Sequence, residues 1–445
     1  MVRPDVMKIR LSSFAPIIFI EAYLILTLVI FSVGPINYHI ESPLLFWGFI
    51  VSYHLFMVLG YVLGAKASFK MPTKNLLHSQ MSIFSVKIII GLAIVSSIMS
   101  MKQFTIGQIF NPYFLYDSVL EGLTNPGDAY TSKMSSVANS GSNKAFNILL
   151  FSIAFSKIIC IPIIVLNWTR LSSGLKAIGL FATLLPVISA VSNGTNKAVF
   201  DFFIYYLGSL AAVFIYNRVK LGSYNFGSYK FFVVLVTMSM VGAFVFFGAS
   251  IGQRGGSVVY LANLSPLGHI SLVNYTQNFN DYGNLWYVYT WFSNYLVQGY
   301  YGFSLSLGQE FDSTFGFGNS VFLMRQFEFL TSIDLSVFTY QHKISPNWHE
   351  FAQWHSFYAH FANDVHFAGV AVVCFILGFF IARVWIRFLV HSDLISFLLI
   401  PLLFLLVIFI PANNQIFGLL DTMSAFFVLF LIWFVRGRKI RFLRG

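Results

Sequence analysis

Residues 144–167 read KAFNILLFSIAFSKIICIPIIVLN. Between Ile148 and Leu166 the only charge is Lys157. A helix rises about 1.5 Å per residue, so about 20 apolar residues cross a hydrocarbon core roughly 30 Å thick. In lipid the backbone must satisfy its own hydrogen bonds, which selects a helix over an isolated strand. Nine other stretches read the same way: 13–34, 43–64, 81–100, 174–192, 197–216, 230–250, 363–384, 393–412 and 416–435. The composition agrees. Of 445 residues, 57% are hydrophobic and 10% charged, and Phe occurs 52 times, where a soluble domain carries about 25% charged residues. The predicted class is an all-α polytopic membrane protein of about ten transmembrane helices. A disordered chain is excluded, and an ordinary soluble enzyme does not fit.

Lys and Arg set the orientation. With the N-terminus in the cytoplasm, 18 of the 27 fall in inner segments, from Arg3, Lys8 and Arg10 to Arg436, Arg438, Lys439, Arg441 and Arg444. Both termini are then cytoplasmic. The first apolar run is full length and lacks a small-residue cleavage site, so it reads as a retained span. The net charge of +11 follows from this topology and from membrane lipids with anionic headgroups, and no nucleic-acid partner is implied.

The outer segments are long: 101–143, and 251–362 with 112 residues. With Glu41, Asp364, His39 and His366 beside them, the outer side holds eleven of the 16 acids and seven of the ten His. Long loops tend to carry function. The Ser/Gly/Asn-rich stretch 131–143 reads as flexible. The uncharged aromatic stretch Trp286–Leu307, interrupted by Gly and Asn, predicts a helix lying in the outer interface or dipping into it. Cys160 and Cys374 fall inside spans and read as packing.

No phosphate-binding Gly loop, HExxH or CxxC occurs. His349, His355 and His360 are spaced by six and five, which places no two of them on one helical face the way i, i+4 would. No metal or other cofactor is expected. Four candidate constellations remain. In SNGTNKAVFDFF, 192–203, Asn193, Asn196 and Lys197 open a helix whose first N–H groups suit an anion, or else form an ordinary cap with a snorkelling Lys. Asp201, one turn on, is the obvious partner of Lys197. In GASIGQRGGS, 248–257, Arg254 stands among glycines, where a guanidinium fork grips phosphate oxygens or touches lipid headgroups. Arg325 is a second isolated outer Arg, with Glu310, Asp312 and Glu328 near enough in sequence for a salt bridge. Trp348–Gly369 gathers His349, His355, His360, His366, Glu350, Asp364, Trp348 and Trp354, a mixture suited to sugar rings and hydroxyls or to a membrane-surface aromatic belt. Glu21, His54, Lys157 and Asp421 lie within spans, where charge is costly and often functional; a Glu21–Lys157 pair is one reading.

The runs NYLVQGYYGFSLSLGQEFDSTFGFGNSVFLMR (294–325) and WHSFYAHFANDVHFAGV (354–370), together with the polar turn at 192–203, resemble the Wzy-type oligosaccharide repeat-unit polymerases of bacterial O-antigen and capsule assembly. The likeness covers mainly residues 192–385. It implies a glycosyltransferase-C-like membrane fold in the bacterial inner membrane, with its active site facing the periplasm. On that reading residues 1–250 form seven spans with the 101–143 loop, 251–362 a periplasmic loop, and 363–445 three spans and a basic tail. The implied activity moves a growing glycan from undecaprenyl diphosphate onto a lipid-linked repeat unit. A chain-length regulator and a flippase are the implied protein partners. Arg254, with Lys197, Asn193, Asn196 and Arg325, would meet the diphosphate. His349, His355 or Asp364 would take the acceptor proton, and Trp348, Trp354, Glu310 and Tyr300 would hold sugars. A glycan ligase with a different acceptor, and a transporter or flippase, are the rival readings.

Overall fold

The computed structural model describes residues 12–69, 81–101, 106–109, 111–139, 144–222, 226–254 and 256–442. The expected basic N-terminal segment with Arg3, Lys8 and Arg10, the Lys70 and Lys74 loop, residues 140–143 and Gly255 lie outside these. Every apolar stretch singled out above is a helix. They are α1 (Ala15–Val33), α2 (Pro43–Phe69), α3 (Ile83–Ser100), α7 (Lys144–Asn167), α8 (Ser173–Ser192), α9 (Lys197–Leu221), α10 (Phe226–Arg254), α15 (Phe357–His391), α16 (Leu394–Phe409) and α17 (Leu420–Phe442). Among the described residues, eight helices are long and apolar enough to cross a membrane, and α16 is apolar but shorter. The chain is an all-α multi-pass membrane protein.

The segments between these helices are structured. Residues 101–143 carry α4 (Ile106–Ile109), α5 (Pro112–Thr124) and α6 (Pro126–Asn139). Residues 251–362 carry β2 (Ile270–Leu272), α11 (Tyr275–Tyr282), α12 (Asn284–Ser306), α13 (Val321–Thr331) and α14 (Tyr340–Lys343). β2 pairs antiparallel with β1 (Ile36–Tyr38), Asn37 facing Ser271. Local chemistry marks the helix starts. Ser82 accepts from the Ser85 amide before α3, Ser172 from Leu175 before α8, and Asn111 from Tyr113 and Phe114 before α5, which satisfies otherwise orphaned N–H groups.

The chain forms two compact units. The first comprises residues 1–74, 257–390 and 405–419; the second comprises 75–256, 391–404 and 420–445. In the first unit α12 is enclosed by protein from Thr290 onward, so an interfacial helix with one face in lipid does not describe it. The Gly and Asn residues that seem to interrupt this stretch are what let it pack. A Cβ on Gly299 would lie 2.4 Å from the Pro411 carbonyl oxygen, and one on Gly302 2.9 Å from Trp348 Nε1. Asn294 Oδ1 accepts from the Tyr38 hydroxyl at 2.9 Å.

Glycines also draw α2 and α15 together. A Cβ on Gly60 would stand 2.0 Å from the Phe375 carbonyl oxygen, and one on Gly378 2.1 Å from that of Met57. Backbones this close are the usual device for packing helices in lipid, where area burial gives little. Gly378→Ala is expected to lower stability by about 2 kcal/mol. Gly48→Ala, which meets nothing within 4 Å, should be neutral. Thermal midpoints in detergent check both.

In the second unit α7 is the central helix, packed against α3, α8, α9 and α17. The one charge in its apolar stretch is paired. Lys157 Nζ lies 2.6 Å from Asp421 Oδ2 on α17 and donates to Ser100 Oγ on α3 at 2.7 Å. Glu21, in the first unit, pairs instead with His54, Nδ1 to Oε2 at 2.6 Å. The expected Glu21–Lys157 pair is therefore replaced by two others. Cys160 and Cys374 are free and buried.

Candidate functional site

Three segments of the second unit meet at one junction: the α5–α6 elbow, the α8–α9 turn and the C-terminal end of α10. The turn needs glycine. Gly194 has φ +59°, and a Cβ there would lie 2.0 Å from the Pro126 carbonyl oxygen, so both conformation and space exclude a side chain. Gln253 clips the elbow to α10: its Nε2 donates to the Thr124 carbonyl at 2.9 Å, and its Oε1 accepts from the Gly127 amide at 3.0 Å. Arg254 fastens the turn, Nη1 donating to the Gly194 carbonyl at 3.0 Å and to Ser250 Oγ at 3.4 Å. Its guanidinium carbon lies 3.9 Å from the centroid of the Tyr130 ring on α6, a cation–π contact. The two constellations proposed from sequence at 192–203 and 248–257 thus form one place.

Their side chains are used unequally. Asn193 is buried and its Nδ2 donates to the Ser189 carbonyl and to Ser189 Oγ, closing α8. Asn196 Nδ2 donates to Ser250 Oγ at 3.3 Å. Both amides are turned into the protein, which corrects their assignment as diphosphate donors. Asn196 makes no side-chain cap to α9, so the first N–H groups of that helix have no capping side chain. Lys197 pairs with Asp201, as the i, i+4 spacing predicts, and Asp201 Oδ1 is buried without a partner.

Sequence reading missed one cation. Lys133 stands one turn beyond Tyr130 in α6. Burial and the neighbouring Arg254 charge hold its ammonium below the ordinary lysine range. Residues 131–139 are helical, which corrects their reading as a flexible loop. The start signal was present in Asn125-Pro126-Gly127-Asp128, with Pro at the first helical position and an acid in the first turn.

The remaining candidates belong to the first unit. Trp348 and Tyr300 are fully buried. Trp348 Nε1 donates to the Trp354 carbonyl at 3.1 Å, and the Tyr300 hydroxyl lies 3.0 Å from Thr27 Oγ1. They are core residues and present no ring face to a sugar, which overturns that expectation. Trp354 is half-buried, edge-on to Tyr295 with ring centroids 5.0 Å apart. Glu310 is exposed, its carbonyl accepting from Lys343 Nζ, which also pairs with Asp312 at 2.7 Å. Arg325 is exposed and makes no ion pair among the described residues.

Asp364 is saturated. One oxygen accepts from Thr314 Oγ1 at 2.5 Å and from the amides of Gly316 at 2.9 Å and Gly318 at 3.0 Å. The other accepts from the Asn319 amide at 2.9 Å and Nδ2 at 2.8 Å. A carboxylate so committed holds a loop, and its lone pairs are not open to an acceptor's proton. His349 is exposed; its Nδ1 accepts from the Phe351 amide at 3.2 Å, leaving Nε2 open.

His355 is 3% exposed, with neither ring nitrogen partnered. Burial, then the His360 ring 6.5 Å away, pushes its pKa down to about 3, so it is a neutral imidazole. The unfolded chain takes up this proton near pH 6.5. Stability is therefore full above about pH 6.5 and falls as pH drops from there toward 3. Thermal midpoints at pH 7 and pH 5 should differ in that sense, and His355→Phe should reduce the difference.

No three His, Cys, Asp or Glu side chains among the described residues are grouped to hold a metal ion. No protein-family model, curated protein or solved structure matches the chain.

Proposed function

We propose that the protein is a membrane glycan transferase that moves a growing oligosaccharide from undecaprenyl diphosphate onto a lipid-linked repeat unit, acting as a repeat-unit polymerase. The supporting observation is the junction in the second unit, where Arg254 joins the α8–α9 turn and sits on Tyr130 beside Lys133. A glycosyl diphosphate already carries a good leaving group. The demand on the protein is to neutralise the charge that grows on the departing oxygen as the glycosidic bond breaks. Fixed cations and uncapped helix N–H groups do this without reorganising during the step. In this reading both termini lie in the cytoplasm and the junction faces the periplasm of a bacterial inner membrane, because the basic residues concentrate in the opposite loops.

The test is direct. Purified protein in detergent receives an undecaprenyl-diphosphate-linked repeat unit from its own host, and products are resolved by gel. A ladder of longer lipid-linked glycans is the expected result. Folded protein that makes no ladder from a competent substrate would move the assignment to a ligase or a transporter.

A further inference from the structure

The segment between α12 and α13 presents an aromatic ring where neither the backbone nor water favours one. Phe315 has φ +54° and is 82% exposed. A left-handed backbone suits Gly or Asn and strains a bulky residue. In water an exposed Phe forgoes the burial of its apolar area. The ring is nevertheless held in place. Asp364 accepts from Thr314 Oγ1 and from the amides of Gly316, Gly318 and Asn319, so its position is set by α15 and not by contacts of its own.

The same carboxylate sets the depth of the turn. From Val365 to Ala382, α15 contains no Asp, Glu, Lys or Arg. At about 1.5 Å per residue that stretch spans about 27 Å, close to the roughly 30 Å of a hydrocarbon core. Asp364 at one end and Arg383 at the other then mark its two boundaries. Past the break in the helix at His366, Ala368, Val372 and Ile376 are exposed at intervals of four residues, which is one apolar helix face turned to lipid. Val365 continues that exposure to the residue beside Asp364. Phe311, also exposed, packs edge-on against the His366 ring with centroids 5.4 Å apart. Of the neighbouring acids, Asp312 pairs with Lys343 at 2.7 Å and Glu310 is exposed, an arrangement suited to the headgroup layer.

We propose that Phe311 and Phe315 form a lipid wedge, their rings entering the acyl chains of the leaflet at the N-terminal end of α15. Hydrocarbon accepts a Phe side chain favourably, which offsets the strain at Phe315 where water does not. The occupant is bilayer lipid, because the turn continues the lipid face of α15. The wedge stands on the membrane fold alone and is independent of the glycan-transfer reading.

The experiment places a nitroxide label on Phe315→Cys in the full-length protein, in vesicles of phosphatidylethanolamine and phosphatidylglycerol. Cys160 and Cys374 are buried, and wild type taken through the labelling supplies the blank. Power saturation compares collisions with oxygen, which concentrates in acyl chains, and with a water-soluble nickel chelate. The oxygen-to-nickel ratio at Phe315→Cys should lie several-fold above that at Asp281→Cys, exposed on α11, and on the side of Ile376→Cys in the lipid face. A label as open to nickel as Asp281→Cys overturns the proposal. Few collisions with either reagent would mean that protein covers the turn, and overturns it too. A ratio that becomes lipid-like only when farnesyl diphosphate is added would assign the ring to a ligand chain, with the same consequence. Phe315→Trp keeps a ring and gives a second measurement. Its fluorescence, read above that of wild type, should be quenched by lipids brominated along the acyl chain, and an unquenched signal from folded protein overturns the wedge.

Discussion

Arg254→Ala is expected to abolish the glycan ladder, lowering turnover by about 10²–10³-fold, the usual loss when one charge-stabilising donor is removed. The same substitution deletes a charged hydrogen bond to the Gly194 carbonyl, which stabilises the α8–α9 turn by about 1.5–3 kcal/mol. Thermal midpoints must therefore be read beside activity. Arg254→Lys separates the two roles. A lysine keeps the charge but cannot hold the carbonyl, stack on Tyr130 and grip a phosphate group together. Its turnover should stay well below wild type while its midpoint recovers in part. A ladder formed at the wild-type rate by Arg254→Ala would leave the function standing and remove this junction from it.

Asp364→Asn should produce the largest loss of stability. The aspartate accepts five hydrogen bonds, three of them from backbone amides of Gly316, Gly318 and Asn319. An asparagine replaces one accepting oxygen by a donor, so donors are left facing a donor. Each bond to a carboxylate contributes about 1.5–3 kcal/mol. These bonds share one carboxylate and do not add simply, so a loss of at least about 3 kcal/mol is expected. The neighbouring Asn363 binds the Tyr340 amide, the Gly318 carbonyl and Gln341 Oε1. Two adjacent residues on α15 thus fix the 314–320 loop and the start of α14. Hydrogen exchange should report the damage locally, with the amides of Gly316–Asn319 losing protection first. Unchanged protection there would show that the loop is held by something other than this carboxylate.

The helices were legible because hydropathy is a local property. Ten apolar stretches predict ten helices, and the boundaries agree within a few residues except where basic ends extend α2, α9, α10, α15 and α17 and where α15 begins six residues earlier, at Phe357. The Lys197–Asp201 pair was legible for the same reason, since i, i+4 spacing fixes neighbours on one helix. What sequence could not show is which distant segments meet. Gly194 and Arg254 are 60 positions apart, and nothing in either motif names the other. Exposure was misread where chemistry alone was the guide. Trp348 and Tyr300 look like sugar platforms by type, yet their fate is set by glycines on α12 that admit large rings into the core. Asp364 reads from sequence as a candidate base, and its role is that of an acceptor for amides, since the turn at 314–319 points its N–H groups inward.

The Lys157–Asp421 pair bears on how the chain is made. An ammonium at the centre of a lone membrane helix disfavours insertion by about 2.5–3.5 kcal/mol. Ser100 precedes Lys157 in synthesis and can shelter it early. The counter-charge comes only with α17, some 264 residues after Lys157. At about 5–20 residues per second, that leaves tens of seconds in which α7 is in the bilayer with its ammonium uncompensated. The Lys157 pair is therefore completed only when α17 arrives, and a ribosome that stops short of it releases a product carrying an unpaired charge that membrane quality control can recognise.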